Sequence, residues 1–282
     1  MMFPIAIGAQ RSAKKDSLLI DKIKTYLSRK FIYKGIFDRV RVMVEQGQPA
    51  RVLECRSGIS KISILEAFQR REFELPSASF EARAEAFLQA GRRAGRRPLI
   101  IDAGANVGVT ALYFKLRYPD ATIVAIEPQD ENFALLQKNL DGLDGVHCLK
   151  AALHSSADQG LAIVQPAGLG NDAYRMQGTA PSAGNARDDA RVVGTITTCT
   201  VAGIVGQFPG CFPFVLKVDI EGHEKEVFGG DTASINRFPV IFLEPHDWML
   251  PGEQTSRTFA AFSAQFPRDL AISGDKLVSL QI

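Results

Sequence analysis

Residues 98–128 read PLIIDAGANVGVTALYFKLRYPDATIVAIEP, and the order of their parts decides the fold. An apolar run of strand length, 99–101, ends at Asp102, and a glycine loop and a stretch with helical spacing of apolar residues follow it. A second apolar run, 122–126, ends at Glu127. The predicted order is a strand, a tight turn, a helix and a second strand with an acid at its tip. This order predicts half of a doubly wound nucleotide-binding unit.

The loop at 104–108 indicates which nucleotide this unit holds. A dinucleotide loop reads G-x-G-x-x-G, because successive glycines let backbone amides approach a pyrophosphate. Here Asn106 and Val109 replace the second and third glycines, and Glu127 follows Gly104 by 23 residues, close to the roughly 20 expected of a ribose-binding acid. S-adenosylmethionine has no phosphate and carries a sulfonium cation, so a loop with fewer glycines and a flanking carboxylate suits it better. The alternative is a plain strand-to-helix turn with incidental glycines.

The bulk composition is that of an ordinary globular protein, with 282 residues, of which 46% are hydrophobic and 23% charged. No apolar run approaches the roughly 18 residues that span a bilayer, and the start MMFPIAIGAQR lacks the basic region of a signal peptide. We therefore expect no transmembrane segment and a cytoplasmic location. The four cysteines lack metal-ligand spacing, which predicts reduced thiols, two of them on buried strands. They are Cys55, Cys148, Cys199 and Cys211.

Charge is distributed unevenly along the chain. Residues 1–100 hold 20 Lys and Arg against 10 Asp and Glu, a net of +10, whereas 101–282 hold 13 against 21, a net of −8. A basic arm of this kind could attract phosphate, an anionic lipid surface or nucleic acid. We favour a solvated amphipathic helix over 12–42 that docks on its own domain. The same helix could also pair two subunits in a homodimer.

The pattern of apolar residues predicts the order of helices and strands. Because strands and helices alternate from residue 99 onward, we expect a mostly parallel, doubly wound sheet. Frequent Gly and Pro residues predict an irregular region at 159–199 with two short strands, of the kind that is usually a lid, a binding loop or disordered. We divide the chain into an N-terminal helical cap, 1–97, and a second domain, 98–282. The expected strands lie at 51–55, 99–101, 122–126, 146–153, 161–165, 192–199, 214–220 and 239–244, with two more after the last helix. The expected helices lie at 12–42, 60–68, 78–95, 130–139, 223–228 and 253–265.

Acids concentrate where strands end, which is where open α/β sheets bind ligands. Asp219 fits a capping role poorly, because it belongs to the end of an apolar strand, whereas Glu221 and Glu224 could simply cap the next helix. A divalent ion held by Asp219 and Glu244 is an alternative that we do not predict. The polar residues at strand ends are Asp102, Glu127, Asp219, Glu221, His223, Glu244, His246 and Asp247.

The segment 217–224, KVDIEGHE, resembles the K-[IV]-D-[IV]-E-G-x-E signature of the FkbM-type methyltransferases, a class I branch that largely methylates oxygen. The D-x-G-A-N-x-G of that family is matched at 102–108, its E-P at 127–128 and its alanine-rich third strand end at 151–152. The resemblance covers roughly 50–250. It implies a Rossmann-like class I methyltransferase fold, an α/β fold with a mostly parallel, seven-stranded, doubly wound sheet and an N-terminal helical cap.

The resemblance also implies a cofactor, S-adenosyl-L-methionine, with S-adenosyl-L-homocysteine as its product. The loop residues would line the methionine end, Glu127 would bind the ribose hydroxyls, Ala152 with Leu153 would border the adenine, and Asp219 would face the methyl donor. The implied cofactor-binding residues are Asp102, Gly104, Ala105, Asn106, Gly108, Glu127, Pro128, Ala152, Leu153 and Asp219.

Methyl transfer to a hydroxyl needs aligned donor and acceptor and the removal of one proton. We expect Asp219 or His223 to be the base, and Glu244 and His246 to position the acceptor, with Glu221 beside them. A histidine that only packs at the start of its helix is the alternative for His223. No metal ligand is predicted.

The sequence therefore predicts an S-adenosylmethionine-dependent O-methyltransferase that acts on a hydroxyl of a sugar, glycolipid or polyketide-like small molecule. An NAD(P)-dependent oxidoreductase is the first alternative, which the missing third glycine of the loop opposes. A non-catalytic adaptor with the same fold is the second, which the acids at the strand tips oppose. Nucleic-acid methylation is disfavoured, because residues 219–222 stand where the [ND]-P-P-[YF] motif would be.

Overall fold

The computed structural model describes residues 39–42, 51–55, 63–165, 175–178, 191–248, 252 and 254–282. Its strands are β1 Arg39–Val42, β2 Arg51–Glu54, β3 Arg97–Ala103, β4 Thr122–Ile126, β5 Val146–Leu149, β6 Ala152–Leu153, β7 Gly160–Gln165, β8 Arg175–Gly178, β9 Arg191–Cys199, β10 Cys211–Val218, β11 Val240–Leu243, β12 Arg268–Ser273 and β13 Lys276–Gln281. Its α-helices are α1 Ala78–Arg93, α2 Val109–Arg117, α3 Asp130–Leu140, α4 Val201–Gln207, α5 Glu224–Phe228, α6 Thr232–Asn236 and α7 Thr255–Ala264, and a π-helical segment covers Leu65–Arg70.

A seven-stranded sheet in the order β12-β13-β11-β10-β3-β4-β5 forms the centre of the molecule. Its strands run parallel except β13, which is antiparallel to both β11 and β12. The predicted seven-stranded, mostly parallel sheet is confirmed, with one reversed strand. The chain moves outward from β3 through β4 to β5 and later from β10 to β11, so the strand order switches between β3 and β10. Ligands bind at the carboxyl ends of strands at such a switch point.

The central strands are continuous apolar runs because both faces of the sheet are covered. Along β3, Ile100 packs into one core cluster, and its neighbours Leu99 and Ile101 pack into the other. The first cluster contains residues from α1, α2 and α3, and the second contains residues from α4 to α7. Helices therefore lie on both faces, as the doubly wound prediction requires.

The chain before residue 98 joins the first of these clusters. Leu53, Ile64 and Phe73 are buried in it beside residues of α2 and the sheet. The Phe73 ring packs edge-on against Phe114 and Phe242, with centroids 5.5 and 5.6 Å apart. The segment around 63–75 thus shares one core with the central sheet, and the division of the chain at residue 98 stays a prediction.

The irregular region of the sequence contains a second sheet, in the order β6-β9-β7-β8. The predicted strands at 161–165 and 192–199 are present, and β8 was missed. The single strand predicted at 146–153 is wrong, because β5 ends at Leu149 and β6 pairs with β9 in the second sheet. The break moves Ala152 and Leu153 out of the central sheet toward its carboxyl edge.

The secondary structure predicted for the N-terminal region can be compared with the structure only at the described residues. The helix predicted over 12–42 is wrong at its end, because β1 pairs antiparallel with β2, Arg39 opposite Glu54. Residues 12–38 lie outside the described ranges. The helix predicted at 60–68 is described from residue 63 and is largely π-helical rather than α-helical.

Two further sequence predictions concern membranes and thiols. Among the described residues, no helix has both the length and the apolar character needed to cross a membrane. All four cysteines are free thiols, with Cys55 and Cys211 buried and Cys148 and Cys199 half-buried.

Gly91 and Gly206 provide a test of helix packing. A Cβ at Gly91, in α1, would lie 2.2 Å from the Phe212 ring, whereas a Cβ at Gly206, in α4, meets no atom within 4 Å. We expect Gly91→Ala to lower the free energy of unfolding by about 1–3 kcal/mol, because the added methyl overpacks the contact. Gly206→Ala should instead raise it by about 0.5–1 kcal/mol, since alanine is the better helix former. Urea unfolding measures both, and equal stability of the two variants would contradict the packing argument.

Candidate active site

A pocket of about 250 Å³ opens at the carboxyl ends of β3, β4 and β10. Most of the residues predicted for the site line it. They are Gly104, Ala105, Asn106, Glu127, Pro128, Ala152, Leu153, Asp219, Glu221, His223 and Glu244. Asp102, Gly108 and His246 do not line it. Lining residues that the sequence analysis did not select include Ser63, Glu66, Thr110, Asn132 and Lys217.

The loop between β3 and α2 forms one wall, and its shape requires its glycines. Gly104 has φ +76°, and a Cβ there would lie 1.7 Å from the backbone oxygen of Asp219. Gly108 has φ +91° and directly precedes α2, where a Cβ would lie 2.9 Å from the Leu136 side chain. Asn106 takes the left-handed conformation, with φ 49°, which asparagine adopts more readily than most residues. The loop is therefore pressed against the end of β10.

Glu127, at the end of β4, lines the pocket directly beside this loop. It is 6% exposed, and its two carboxylate oxygens accept hydrogen bonds from the backbone amides of Asn106, at 2.9 Å, and Gln129, at 3.0 Å. Burial raises the pKa of Glu127 to about 7. Each oxygen keeps a further lone pair, so this fixed carboxylate can accept two more hydrogen bonds from a diol.

A buried ion pair lies beneath the loop. Lys217, 3% exposed, places its Nζ 3.0 Å from Asp102 Oδ1 and 3.3 Å from Asp219 Oδ2, and it donates a hydrogen bond to the Gly104 carbonyl at 2.7 Å. Burial raises the pKa of Asp102, which is fully enclosed. The neighbouring carboxylates raise the pKa of Lys217 although burial opposes this. Asp102 therefore supports the loop from below through Lys217 and does not face the pocket.

The turn after β10 is held by Glu224. Its Oε1 accepts hydrogen bonds from the amides of Ile220, at 3.2 Å, and Gly222, at 3.1 Å, and lies 2.7 Å from His246 Nδ1. Glu221 takes the left-handed conformation, φ 56°, which is strained for a residue with a side chain. Glu224 thus fixes the turn that precedes α5 and does not cap the helix, whose N-cap residue His223 makes no side-chain capping hydrogen bond, and the Glu221 carboxylate lines the pocket.

His246 is 3% exposed, behind the wall of the pocket. Its Nε2 faces Asp219 Oδ1 at 3.7 Å, Glu221 Oε2 at 3.7 Å and Glu244 Oε1 at 3.9 Å. Burial disfavours the imidazolium, yet the Glu224 contact and the surrounding carboxylates raise the pKa of His246 to about 9. Burial and the Asp219 charge raise the pKa of Glu244 to about 7. Four of the five predicted catalytic residues therefore form one group.

His223, the fifth, lines the pocket on its own. Its ring lies against that of His154, with centroids 5.2 Å apart, and burial lowers its pKa, so it is neutral at pH 7. Its Nε2 is buried and has no hydrogen-bond partner among the described residues. A neutral imidazole with a free nitrogen can accept a proton from a molecule in the pocket.

The chain is similar to several known methyltransferases. Methyltransferase sdnD of Sordaria araneosa is 48% identical over 63 residues, which cover 21% of this chain and 24% of that protein. The hexuronic acid methyltransferase AglP of Haloferax volcanii is 30% identical over 159 residues, 55% of this chain and 58% of that protein. The matched region thus spans less than two thirds of the length of each of these two relatives.

A solved structure and a family model complete the comparison. The S-adenosylhomocysteine-bound methyltransferase PaMTH1 of Podospora anserina aligns with a TM-score of 0.37 and 10% identity, over 99% of each chain. Residues 102–268 match the model of the methyltransferase FkbM domain. That match covers more than half of the 282 residues and includes the loop, Glu127 and the end of β10 described above. The chain belongs to the FkbM methyltransferase family.

Proposed function

We propose that the protein is an S-adenosylmethionine-dependent O-methyltransferase that acts on a hydroxyl of a small molecule. The observation that carries the proposal is Glu127, a pocket-lining carboxylate at the tip of β4 that is fixed by two backbone amides, one of them from Asn106 in the Gly104 loop. A ribose diol is the chemistry that such a carboxylate suits.

The remaining wall fits the rest of the cofactor. Ala152 and Leu153 would border the adenine, because they are small apolar residues on the side of the pocket beyond β4. The loop at Gly104 and Asn106 would lie against the methionine end, with Asp219 facing it across the β3–β10 switch point. S-adenosylmethionine supplies a methyl group on a sulfonium, which is already an excellent leaving group. The task left to the protein is alignment and proton removal.

His223 is the base that the geometry supports over Asp219. Asp219 is ion-paired with Lys217, which lowers its pKa although burial opposes this, so it is a weak base. His223 lines the pocket, burial lowers its pKa, and its buried Nε2 has no hydrogen-bond partner among the described residues. We therefore assign the acceptor proton to His223, and we assign Glu221 and Glu244 to the acceptor side of the site.

A sugar hydroxyl is the acceptor class we favour, because one relative is described as a hexuronic acid methyltransferase. A polyketide-like hydroxyl is the second candidate. A cytoplasmic location, a homodimer through the helix predicted at 12–42 and the absence of nucleic-acid substrates stay predictions of the sequence.

Calorimetric titration with S-adenosylhomocysteine and, separately, with NADH tests the cofactor. Binding of the first and none of the second supports the proposal, whereas binding of NADH alone would contradict it. Transfer of a labelled methyl group from S-adenosylmethionine to a panel of uronic acids, neutral sugars and amines then tests the acceptor. Labelling of amines but not hydroxyls would rule out O-methylation.

Glu127 makes cofactor affinity depend on pH. Its pKa is about 7 without ligand, and the ribose hydroxyls donate hydrogen bonds to the deprotonated carboxylate, so binding releases a proton below pH 7. We expect the affinity for S-adenosylhomocysteine to rise about tenfold from pH 6 to pH 8 and to level above pH 8. Calorimetry in two buffers of different ionisation enthalpy measures both the affinity and the proton release. Glu127→Gln is the control, and a slope that persists in this variant would place the titrating group elsewhere.

A further inference from the structure

We propose that Asp219, Glu221 and His246, which together with the neighbouring Glu244 we call the carboxylate–histidine cluster, bind a divalent transition-metal ion of the Mn²⁺ type next to the methyl-donor pocket. Asp219, Glu221 and His246 each offer one ligand atom, and these atoms lie within 4.8 Å of one another. The metal binding stands by itself, and the catalytic role given to the ion below rests on the proposed function.

The spacing of the cluster fits an ion better than it fits hydrogen bonds. His246 Nε2 lies 3.7, 3.7 and 3.9 Å from the nearest oxygens of Asp219, Glu221 and Glu244. These distances exceed the 2.7–3.2 Å of a hydrogen bond. Ligands about 2.1 Å from an octahedral ion are separated by about 3 Å when adjacent and about 4.2 Å when opposite. The distances from His246 Nε2 therefore lie within the range of a ligand set, and Asp219, Glu221 and His246 offer atoms that are mutually close.

His246 is aimed into the cluster by a second carboxylate. The side chain is 97% buried, and its Nδ1 lies 2.7 Å from Glu224 Oε1, an atom that also accepts two backbone amides. Because Glu224 Oε1 acts as a hydrogen-bond acceptor, His246 must carry its proton on Nδ1. The lone pair of Nε2 then faces the three carboxylates. Among the described residues, Nε2 has no hydrogen-bond partner. A histidine bonded to a carboxylate through its other nitrogen is the arrangement that orients metal-ligating histidines.

Asp219 and Glu244 each place one carboxylate oxygen near a lysine and the other near His246. Asp219 Oδ2 lies 3.3 Å from Lys217, and Asp219 Oδ1 faces His246. Glu244 does the same, with Oε2 at 3.2 Å from Lys276 and Oε1 facing His246. Both lysines are also shared with other acids: Lys217 with Asp102, and Lys276 with Glu72 and Asp275. Negative charge therefore exceeds positive charge around the cluster, and a cation would balance it.

A proton on His246 Nε2 is the rival occupant. It would supply one positive charge at the same point, and it excludes a metal, because a ligating nitrogen must be unprotonated. The protonated state and the metal-bound state differ in the contacts that the carboxylate oxygens make. Their oxygens stay 3.7–3.9 Å from an imidazolium, without hydrogen bonds, but would coordinate an ion directly.

The donor set selects the class of ion. Three carboxylates disfavour Cu⁺ and other soft ions, and the imidazole disfavours Mg²⁺ and Ca²⁺, which prefer oxygen ligands. Mn²⁺ accepts both donor types. Because Asp219, Glu221 and Glu244 line the pocket, the ion would meet the acceptor hydroxyl there and lower its pKa, which would help His223 remove the proton.

Titration of the metal-free full-length protein with Mn²⁺, followed by electron paramagnetic resonance of the free ion, tests the site. We expect one bound Mn²⁺ per chain. His246→Gln and Glu221→Gln should weaken binding about 100-fold or more, and Glu224→Gln about 10–100-fold through the lost orientation of His246. The control is Asp144→Asn, an exposed carboxylate beside Arg97 at the amino end of β3, and it should leave the affinity unchanged.

Three outcomes would overturn the proposal. These are no binding at 1 mM Mn²⁺, full affinity in both His246→Gln and Glu221→Gln, or a loss in Asp144→Asn equal to theirs. Glu221 is 41% exposed at its side chain, so its variant should fold even if the His246 variant does not. Titration with S-adenosylhomocysteine separates the two proposals: its binding without Mn²⁺ binding contradicts the metal site alone, and Mn²⁺ binding without it contradicts the proposed cofactor alone.

Discussion

Gly104→Ala should abolish detectable binding of S-adenosylhomocysteine and lower the free energy of unfolding by about 2–5 kcal/mol. The added Cβ would lie 1.7 Å from the Asp219 oxygen and 2.8 Å from its carbonyl carbon, both of them backbone atoms that cannot rotate away. The φ of +76° is also unfavourable for alanine. The loop and the end of β10 must therefore separate, and both segments line the pocket.

Gly142→Ala is the matched control for this variant. Gly142 has φ +68°, but a Cβ there meets no atom within 4 Å. Gly142→Ala should therefore lower the free energy of unfolding only by the cost of the positive φ, about 1–2 kcal/mol, and this variant should bind S-adenosylhomocysteine with normal affinity. Urea unfolding and calorimetry measure the two effects. Equal losses of stability in both variants would mean that the close approach to Asp219 is not what requires a glycine at position 104.

The sequence alone predicted those parts of the site whose residues lie close together along the chain. The 22 residues between Gly104 and Glu127 contain one helix and one strand, so the two residues meet wherever β3 and β4 are neighbours. The apolar runs of the central strands were equally readable, because both faces of the sheet are buried.

The roles of Asp102 and Lys217 depend on which strands are neighbours. Lys217 on β10 is in register with Asp102 on β3, yet 115 residues separate them in the chain. The signature that contains Lys217 was recognised, but no local pattern shows that its ammonium is buried beneath the glycine loop. The sequence analysis considered Glu224 only as a helix cap, because its partner His246 lies beyond the next strand.

Two secondary-structure errors had local signals. Residues 39–42 read RVRV, a strict alternation that indicates a strand rather than the end of a helix. The strand predicted at 146–153 contains Lys150 between Leu149 and Ala151, the point at which the chain leaves the central sheet. Both signals were overridden by the longer apolar patterns around them.

The ion pair beneath the loop leads to the second large effect, in Lys217→Met. We expect this variant to lose about 3–5 kcal/mol of unfolding free energy, because it leaves Asp102 buried and unpaired. Burial already raises the pKa of Asp102, and without the lysine the folded state favours its protonated form still more. A group whose pKa rises on folding costs stability as the pH increases above its unfolded value, about 3.9. The loss should therefore be larger at pH 8 than at pH 5.

Two variants test this explanation by urea unfolding at both pH values. Asp102→Asn combined with Lys217→Met should recover more than half of the loss and most of its pH dependence, because the buried charge is gone. Lys115→Met removes another buried lysine, whose Nζ donates only to the carbonyls of Pro119, at 2.7 Å, and Ala121, at 2.9 Å, among the described residues. It should cost about 1–3 kcal/mol, the penalty for unsatisfied carbonyls. If Lys217→Met costs no more than Lys115→Met, or if the double variant recovers nothing, then Lys217 acts through its bond to the Gly104 carbonyl rather than by balancing Asp102.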